Sequence, residues 1–211
     1  IGRCHLPSCK PHIFSCEKSE NHYKFEGVLA ANCLMPAAEF TLEYTVSGNQ
    51  LTMDIAYKLA DYVENFPRFG IEFGVEKAHC NFSYVGFGPM ESYVDKHAAC
   101  EYGYYVSSAE ENYDRKYIRP QESGSHYACT YLAIKELFKV TAEQPFSCSV
   151  NPFTTKQLRE SLHSFELEEN DFVNVCIDLA MRGVGSHSCG PMLPEKYEIP
   201  RQGKNKFTFT F

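Results

Sequence analysis

Hydrophobic and polar residues alternate with a period of two along much of the chain, and this alternation limits the possible folds more than any other feature. Residues 40–46 and 51–57 both alternate, and a Gly- and Asn-containing loop at 47–50 separates them. Two alternating runs joined by such a loop are typical of a β-hairpin. The alternation predicts antiparallel strands that bury one face and expose the other.

Further strand-like segments extend the same pattern, and helical periodicity is scarce. The clearest helix is at 154–162, where Thr154 is a candidate N-cap and Gln157 could complete a capping box. We predict an all-β fold, a large antiparallel β-sandwich with one or two short helices, formed by residues 1–211 as a single domain. Irregular loops are expected at 86–124 and 181–203. The remaining predicted strands are 22–31, 70–76, 79–86, 125–138, 145–151, 171–180 and 205–211.

Composition supports a packed core and excludes two classes of partner. Hydrophobic residues make up 44% of the chain, and the 16 Phe and 14 Tyr suit half-buried strands. The net charge is −7 and the 20 Lys and Arg residues form no cluster, so we expect no nucleic-acid partner. No stretch approaches the roughly 20 apolar residues of a transmembrane helix, so we expect no membrane partner.

The 10 cysteines are widely spaced, without the short pairs typical of zinc sites. A metal clip of Cys4, His5, Cys9 and His12 is the alternative, and the spacing disfavours it. Several cysteines lie in apolar runs, where a free thiol behaves as a small hydrophobic side chain. We therefore predict reduced thiols in a cytoplasmic protein and no metal site.

The first segment with possible chemistry follows a glycine-rich strand. Glu91, Tyr93 and Asp95 alternate, so an extended segment would point all three side chains the same way. Two carboxylates and a hydroxyl could bind or protonate a sugar. The alternative is a structural loop in which Arg68 or Lys96 pairs with the acids, and paired acids recur in such networks.

The second segment is a tight turn before a strand, bounded by Pro120 and Gly124. Glu122 and His126 could form an acid/base pair there, since histidine titrates near neutrality. The alternative, which we favour, is a turn in which the Glu122 carboxylate accepts backbone hydrogen bonds.

The third segment, 178–191, is a strand that breaks into a glycine-rich loop. His187 lies beside Ser188 and Cys189, which suggests a Cys/His nucleophile. Catalytic partners are seldom sequence neighbours, however, so a packing or binding loop is the preferred interpretation.

Together the three segments resemble the C-terminal domain of bacterial β-galactosidases of glycoside hydrolase family 2. The resemblance covers about residues 66–200 and implies a galactose-mutarotase-like β-sandwich beside a TIM barrel. In the family that barrel carries both catalytic glutamates, so the resemblance assigns no catalytic residue and no cofactor to this chain. It implies Mg²⁺ and Na⁺ for the full enzyme. The matching motifs are Pro67-Arg68-Phe69-Gly70, Gly86-Phe87-Gly88-Pro89 with Glu91, Tyr93 and Asp95, Pro120-Gln121-Glu122-Ser123-Gly124, and Gly183-Val184-Gly185 with Gly190-Pro191.

The resemblance also implies roles for the site residues. The third loop borders the sugar pocket in the family, which places Ser186, His187, Ser188 and Cys189 at the pocket edge. Cys189 stands where well-known members carry an aromatic Trp platform, and this chain has no Trp. The other motif residues are interpreted as a structural network that holds the loops, namely Arg68, Glu91, Tyr93, Asp95 and Glu122.

The resemblance makes the remaining domains or large subunit of a β-galactosidase the expected partner, with a β-galactoside bound in the assembled site. The family's domain is longer at its N-terminus, and this chain begins at Ile1, so we expect an N-terminally shortened fragment. Such a fragment could expose an edge and form a homo-oligomer. Two alternatives remain. One is an aldose mutarotase that uses His126 or His187 with Glu91 or Glu122, and the other is a carbohydrate-binding module built on Tyr102, Tyr104, Tyr105 or Tyr113.

Overall fold

A computed structural model describes residues 5–32, 34–64, 66–185 and 191–211. Within these residues 11 strands form one connected sheet, and every strand pair is antiparallel. Two short α-helices, α1 (Ala109–Asn112) and α2 (Thr155–Glu160), interrupt the strands. The predicted all-β antiparallel class with one or two short helices is confirmed. None of the helices in the described ranges is long and apolar enough to cross a membrane.

The strands account for about half of the chain, and most of them follow the predicted alternation. In chain order they are β1 (Lys10–Lys18), β2 (His22–Ala30), β3 (Ala38–Ser47), β4 (Gln50–Leu59), β5 (Arg68–Glu76), β6 (Asn81–Gly88), β7 (Glu101–Ser108), β8 (Ser125–Ile134), β9 (Phe138–Asn151), β10 (Phe172–Met181) and β11 (Gln202–Thr210).

The long strand β9 joins two branches of the sheet. The main path runs β1-β2-β3-β4-β11-β9-β8-β6-β7, and β10 leaves it by pairing with both β9 and β5. The first half of β9 pairs with β11 at residues 139–142, whereas its second half pairs with β10 at residues 147–151. The branching lets residues from both parts of the sheet face one hydrophobic core.

Alternate residues along the strands supply that core. On β4 every second side chain from Met53 to Leu59 is buried, and on β6 the buried aromatics are Phe82 and Tyr84. Full burial of a large apolar side chain contributes about 1.5–3 kcal/mol relative to exposure. The period-two pattern read from the sequence is therefore the pattern that positions the core.

Two local predictions are confirmed by backbone and side-chain geometry. The hairpin of β3 and β4 turns at Gly48, whose φ of +59° lies in the left-handed region that favours glycine. At α2 the Thr154 hydroxyl accepts from the Gln157 N–H at 3.2 Å, and the Gln157 side chain accepts from the Thr154 N–H at 2.9 Å. This is the expected capping box, and the helix begins at Thr155.

Three element predictions were wrong. The expected irregular loop 86–124 contains both β7 and α1, and β1 was not predicted at all. The expected strand 125–138 ends at Ile134, and the chain turns at 135–137, where Glu136 has a φ of +61°. Consecutive tyrosines in β7 and the Lys-Pro start of β1 hid the alternation, because neither strand separates polar from apolar faces cleanly.

Candidate functional site

Three loop segments meet beside the ends of β5, β6 and β10, and we call them together the loop cluster. They are residues 89–97 after β6, residues 113–124 before β8, and residues 182–185 after β10. Glu91 in the first segment contacts the second, and Asp95 in the first contacts the third. The fold thus brings together the segments that carried the sequence motifs.

Glu91 accepts hydrogen bonds on both carboxylate oxygens. Its Oε1 accepts from Lys96 Nζ at 2.5 Å and from the Tyr117 hydroxyl at 2.6 Å. Its Oε2 accepts from the Tyr93 hydroxyl and from the Gly124 N–H, both at 3.1 Å. Burial alone would raise the pKa of Glu91, but these donors outweigh burial and lower the pKa. The carboxylate is therefore ionised and fully engaged.

Tyr93 is buried beneath this carboxylate. Burial is the main cause that raises its pKa, and the negative charges of Glu122 and Glu91 raise it further. The phenol therefore stays protonated and donates to Glu91. The expectation that Glu91, Tyr93 and Asp95 all point the same way holds for the first two only, because Asp95 contacts a different segment.

Arg68 at the start of β5 links two acids from distant parts of the chain. Its Nε donates to Asp178 Oδ1 at 3.0 Å, its Nη2 donates to Asp178 Oδ2, and its Nη1 donates to Glu122 Oε2 at 2.9 Å. Burial would lower the pKa of Arg68, but the charges of Asp178 and Glu122 raise it well above its ordinary value. Burial raises the pKa of Glu122 and Arg68 opposes that rise.

Asp178 was not predicted as a member of this network. It is a nearly fully buried acid on β10 and lies 110 positions from Arg68 in the sequence. The available signal was a carboxylate within an apolar strand run, since a buried charge requires a partner.

Asp95 holds the backbone of the third segment. Its Oδ1 accepts from the Val184 N–H at 3.0 Å, and its Oδ2 accepts from the Gly185 N–H at 2.8 Å. Two hydrogen bonds from successive backbone amides to one carboxylate fix the path of that segment. The predicted pocket-edge residues Ser186, His187, Ser188 and Cys189 lie outside the described residues.

His126 is enclosed in the core rather than exposed in the loop cluster. It is 1% exposed, its ring stacks on Tyr84 with a centroid separation of 3.9 Å, and its Nε2 lies 2.8 Å from Asn112 Oδ1. Burial lowers the pKa of His126 to about 4. An enclosed neutral imidazole at this position cannot reach a ligand, and it does not contact Glu122 as an acid/base pair would.

A cleft of about 890 Å³ opens between residues 89–100 and 107–117. Glu91, Lys96 and Tyr117 line it, together with the exposed Arg115 and Lys116. Donors occupy both oxygens of the Glu91 carboxylate, so Glu91 is not a free acid or base in this cleft, which Asp95, His97 and Glu111 also line. In the described ranges no three His, Cys, Asp or Glu side chains are grouped as a metal centre would need.

Comparisons with known proteins show which family the chain belongs to. A β-galactosidase of Actinobacillus pleuropneumoniae is 39% identical over 181 residues, which are 77% of this chain and 18% of that protein. A β-galactosidase of Staphylococcus xylosus is 34% identical over 183 residues, 83% of this chain and 18% of that protein. The chain thus spans about 18% of the length of these curated relatives.

A solved structure of an Escherichia coli K12 protein, provisionally assigned as an aldose 1-epimerase, superposes with a TM-score of 0.45 and 8% identity. The superposition covers 95% of this chain and 68% of that one. The family model described as "Beta galactosidase small chain" matches residues 6–211. The chain therefore belongs to the β-galactosidase small-chain family.

Proposed function

We propose that the chain is a non-catalytic domain of a β-galactosidase, contributing assembly and one edge of the sugar pocket. The full enzyme would hydrolyse terminal β-D-galactosides such as lactose. Family membership supports the enzyme class, and the chain's small share of its relatives' length supports the role of one part among several. The remaining domains, or a large subunit, would supply the catalytic carboxylates.

The non-catalytic role rests on one observation, namely the hydrogen-bond and ion-pair partners of the motif acids Glu91 and Glu122. A retaining glycosidase needs one carboxylate free to attack and one carboxylic acid free to donate a proton across the same bond. Glu91 is ionised and accepts four hydrogen bonds, and Glu122 is bound to Arg68. Both oxygens of Glu91 are occupied by donors and the charge of Glu122 is paired with Arg68, so both acids act as structural groups in this proposal.

The pocket-edge role rests on the path of the third segment. Asp95 fixes the amides of Val184 and Gly185, which immediately precede the loop at 186–189. We propose that Ser186, His187, Ser188 and Cys189 border the sugar in the assembled enzyme. Arg68, Glu91, Tyr93, Asp95 and Glu122 would form the structural network that holds this end of the domain.

The proposal extends to the environment of the full enzyme. We place it in the bacterial cytoplasm, because free thiols such as those of Cys80, Cys100 and Cys176 suit a reducing compartment. The Mg²⁺ and Na⁺ expected from the resemblance belong to the full enzyme, and we derive no step of this chain through either ion. Residues 1–211 would act as one domain, and self-association is part of the same proposal.

The structure disfavours one of the two alternative functions and is compatible with the other. A mutarotase that uses His126 is disfavoured, because that side chain is enclosed and stacked on Tyr84. For the carbohydrate-binding module, two of the candidate tyrosines, Tyr102 and Tyr104, are exposed on one face of β7. Tyr113, another candidate, is buried.

Hydrolysis of a chromogenic β-galactoside tests the proposal. The purified chain, a β-galactosidase lacking the matching part, and the two mixed together would be assayed in parallel. We expect activity only in the mixture. Hydrolysis by the purified chain alone would show that catalytic residues lie within these 211 positions and would refute the proposal. Polarimetry of fresh α-D-galactose with the same chain separates mutarotase activity from both outcomes.

A further inference from the structure

Four consecutive backbone amides in the third segment of the loop cluster donate hydrogen bonds to other parts of the chain. The Arg182 N–H donates to the Pro67 carbonyl at 2.9 Å, and the Gly183 N–H donates to the Tyr197 carbonyl at 3.0 Å. The next two amides donate to the Asp95 carboxylate. This stretch of backbone is therefore held at every residue by groups from elsewhere in the chain.

The Arg182 side chain makes a further connection, to a residue that follows the third segment. Residues 182–185 and 191–198 flank residues 186–190, and we call these flanking parts the two arms. The Nε and Nη2 of Arg182 donate to the two carboxylate oxygens of Glu198, and the Nη2–Oε1 distance is 2.6 Å. Two parallel hydrogen bonds between a guanidinium and a carboxylate fix orientation as well as distance. The pair therefore ties one arm to the other.

Most of this ion pair is shielded from solvent. The side chains of Arg182 and Glu198 are 16% and 22% exposed. The hydrogen bonds to Glu198 are the main cause that raises the pKa of Arg182, burial opposes the rise, and the charge of Asp95 adds to it. Exposed ion pairs contribute little to stability, whereas a shielded bidentate pair keeps its geometry. The connection between the arms is thus a well-defined contact.

The second arm has an ordered backbone of its own. A 3-10 turn at Glu195–Tyr197 precedes Glu198, and the Glu198 N–H donates back to the Glu195 carbonyl at 3.0 Å. Leu193 and Ile199, on either side of this turn, are buried. Each arm is therefore anchored separately, and loss of the ion pair would change how the arms lie relative to each other without unfolding either one.

We infer that Arg182 and Glu198 are positioning residues for the galactoside in the assembled enzyme. By fixing the two arms relative to each other, the pair sets the position of the residues between them, which the proposed function assigns to the edge of the sugar pocket. A binding edge that is already in place does not have to be ordered when the ligand binds, so its fixation strengthens binding. The inference rests on the proposed function, and neither residue needs to contact the sugar.

The kinetic effect of positioning differs from that of catalysis. An edge that contacts the sugar equally in the ground state and in the transition state contributes uniform binding, and weakening it raises KM without lowering kcat. Glu198→Gln tests this, because an amide has one acceptor oxygen and cannot accept both donors of Arg182 as the carboxylate does. We expect KM to rise at least about threefold while kcat stays within about twofold. The inhibition constant of a non-hydrolysable thiogalactoside should rise by the same factor as KM.

The variants are compared in the assay that mixes the chain with a β-galactosidase lacking the matching part. Arg182→Lys is a second test variant in case Glu198→Gln does not fold, as checked by circular dichroism. It keeps the charge but has a single donor nitrogen, so it cannot form the bidentate contact. The matched control is Glu26→Gln on β2, outside the loop cluster. It breaks a half-buried ion pair with Lys24, whose side chain is 29% exposed and that of Glu26 35%. We expect the control to leave KM unchanged.

Hydrogen exchange of the purified chain gives a readout that needs no activity. Backbone amides in the two arms should exchange faster with deuterium in Glu198→Gln than in the wild-type chain. The same amides should exchange at the wild-type rate in Glu26→Gln. Arms that exchange at the wild-type rate in Glu198→Gln would show that the ion pair does not hold them, which would overturn the inference.

The kinetic outcomes separate this inference from the proposed function. An active mixture in which Glu198→Gln and Arg182→Lys both keep the wild-type KM would overturn the positioning role and leave the accessory function intact. A fall in kcat with an unchanged KM, or an equal rise of KM in the control, would overturn it as well. A wild-type mixture without activity would overturn the proposed function itself, and the positioning role with it.

Discussion

A Cβ atom placed on Gly183 would lie 2.6 Å from the carboxyl carbon of Asp95, so these two residues define one close contact between two loops. The contact exists because glycine leaves room for the carboxylate to reach the N–H groups of Val184 and Gly185. A larger residue would displace the carboxylate from both donors.

Gly183→Ala should therefore lower the free energy of unfolding by roughly 1–3 kcal/mol, the usual cost of overpacking. Urea denaturation measures the change. The control is Asp95→Ala, alone and combined with Gly183→Ala. Because removal of the carboxylate also removes the clash, the double variant should be no less stable than Asp95→Ala. Additive losses would contradict the contact.

Glu91→Gln tests the structural role of the saturated carboxylate. The neutral amide has one acceptor oxygen, so it cannot satisfy Lys96, Tyr117, Tyr93 and Gly124 together. We expect a loss of roughly 1–3 kcal/mol in stability and a lower melting temperature, with little change in the kcat of the assembled enzyme. A large fall in kcat with an unchanged melting temperature would instead assign Glu91 to catalysis.

The sequence predicted the fold class because most strands separate polar from apolar residues with a period of two. It missed β7, because Tyr104 and Tyr105 are both aromatic and project from opposite faces, so the alternation disappears. It also missed Asp178 as the partner of Arg68, since the two residues meet only when β5 and β10 pair. Local turn and cap signals were readable, whereas contacts between distant strands were not.

Arg68→Ala should be the most destabilising single change at the loop cluster. It would leave the buried Asp178 carboxylate without its bidentate partner, and breaking a buried pair from one side costs about 3–5 kcal/mol. Thermal unfolding measures the loss. Asp178→Asn in the Arg68→Ala background should recover part of it, because the unpaired charge is removed.

The matched control for that prediction is Arg115→Ala. Arg115 pairs with Glu110 on the surface, and both side chains are exposed. Exposed pairs contribute about 0–1 kcal/mol, so this substitution should leave the melting temperature almost unchanged. Equal effects of Arg115→Ala and Arg68→Ala on the melting temperature would mean that the buried ion pairs of Arg68 contribute no more stability than an exposed pair.

The enclosed imidazole of His126 predicts a pH dependence of stability. In the unfolded chain a histidine binds a proton below about pH 6.5, whereas in the folded chain burial lowers the pKa of His126 to about 4. The unfolded state therefore binds more protons between these values, and stability falls as the pH falls through this window. From pH 6.5 to 4.5 the loss should be about 2–3 kcal/mol.

The pH range in which His126 affects stability lies above the range in which Glu91 does. The lowered pKa of Glu91 stabilises the folded chain above its ordinary value of 4.5, and this contribution is lost only as the pH falls further. Urea denaturation of the chain and of His126→Gln at several pH values between 4.5 and 6.5 isolates the histidine. The slope of the unfolding free energy against pH should be flatter by close to one proton in the variant. An unchanged slope would mean that the imidazole is accessible to protons in the folded chain, which would reopen its role as an acid.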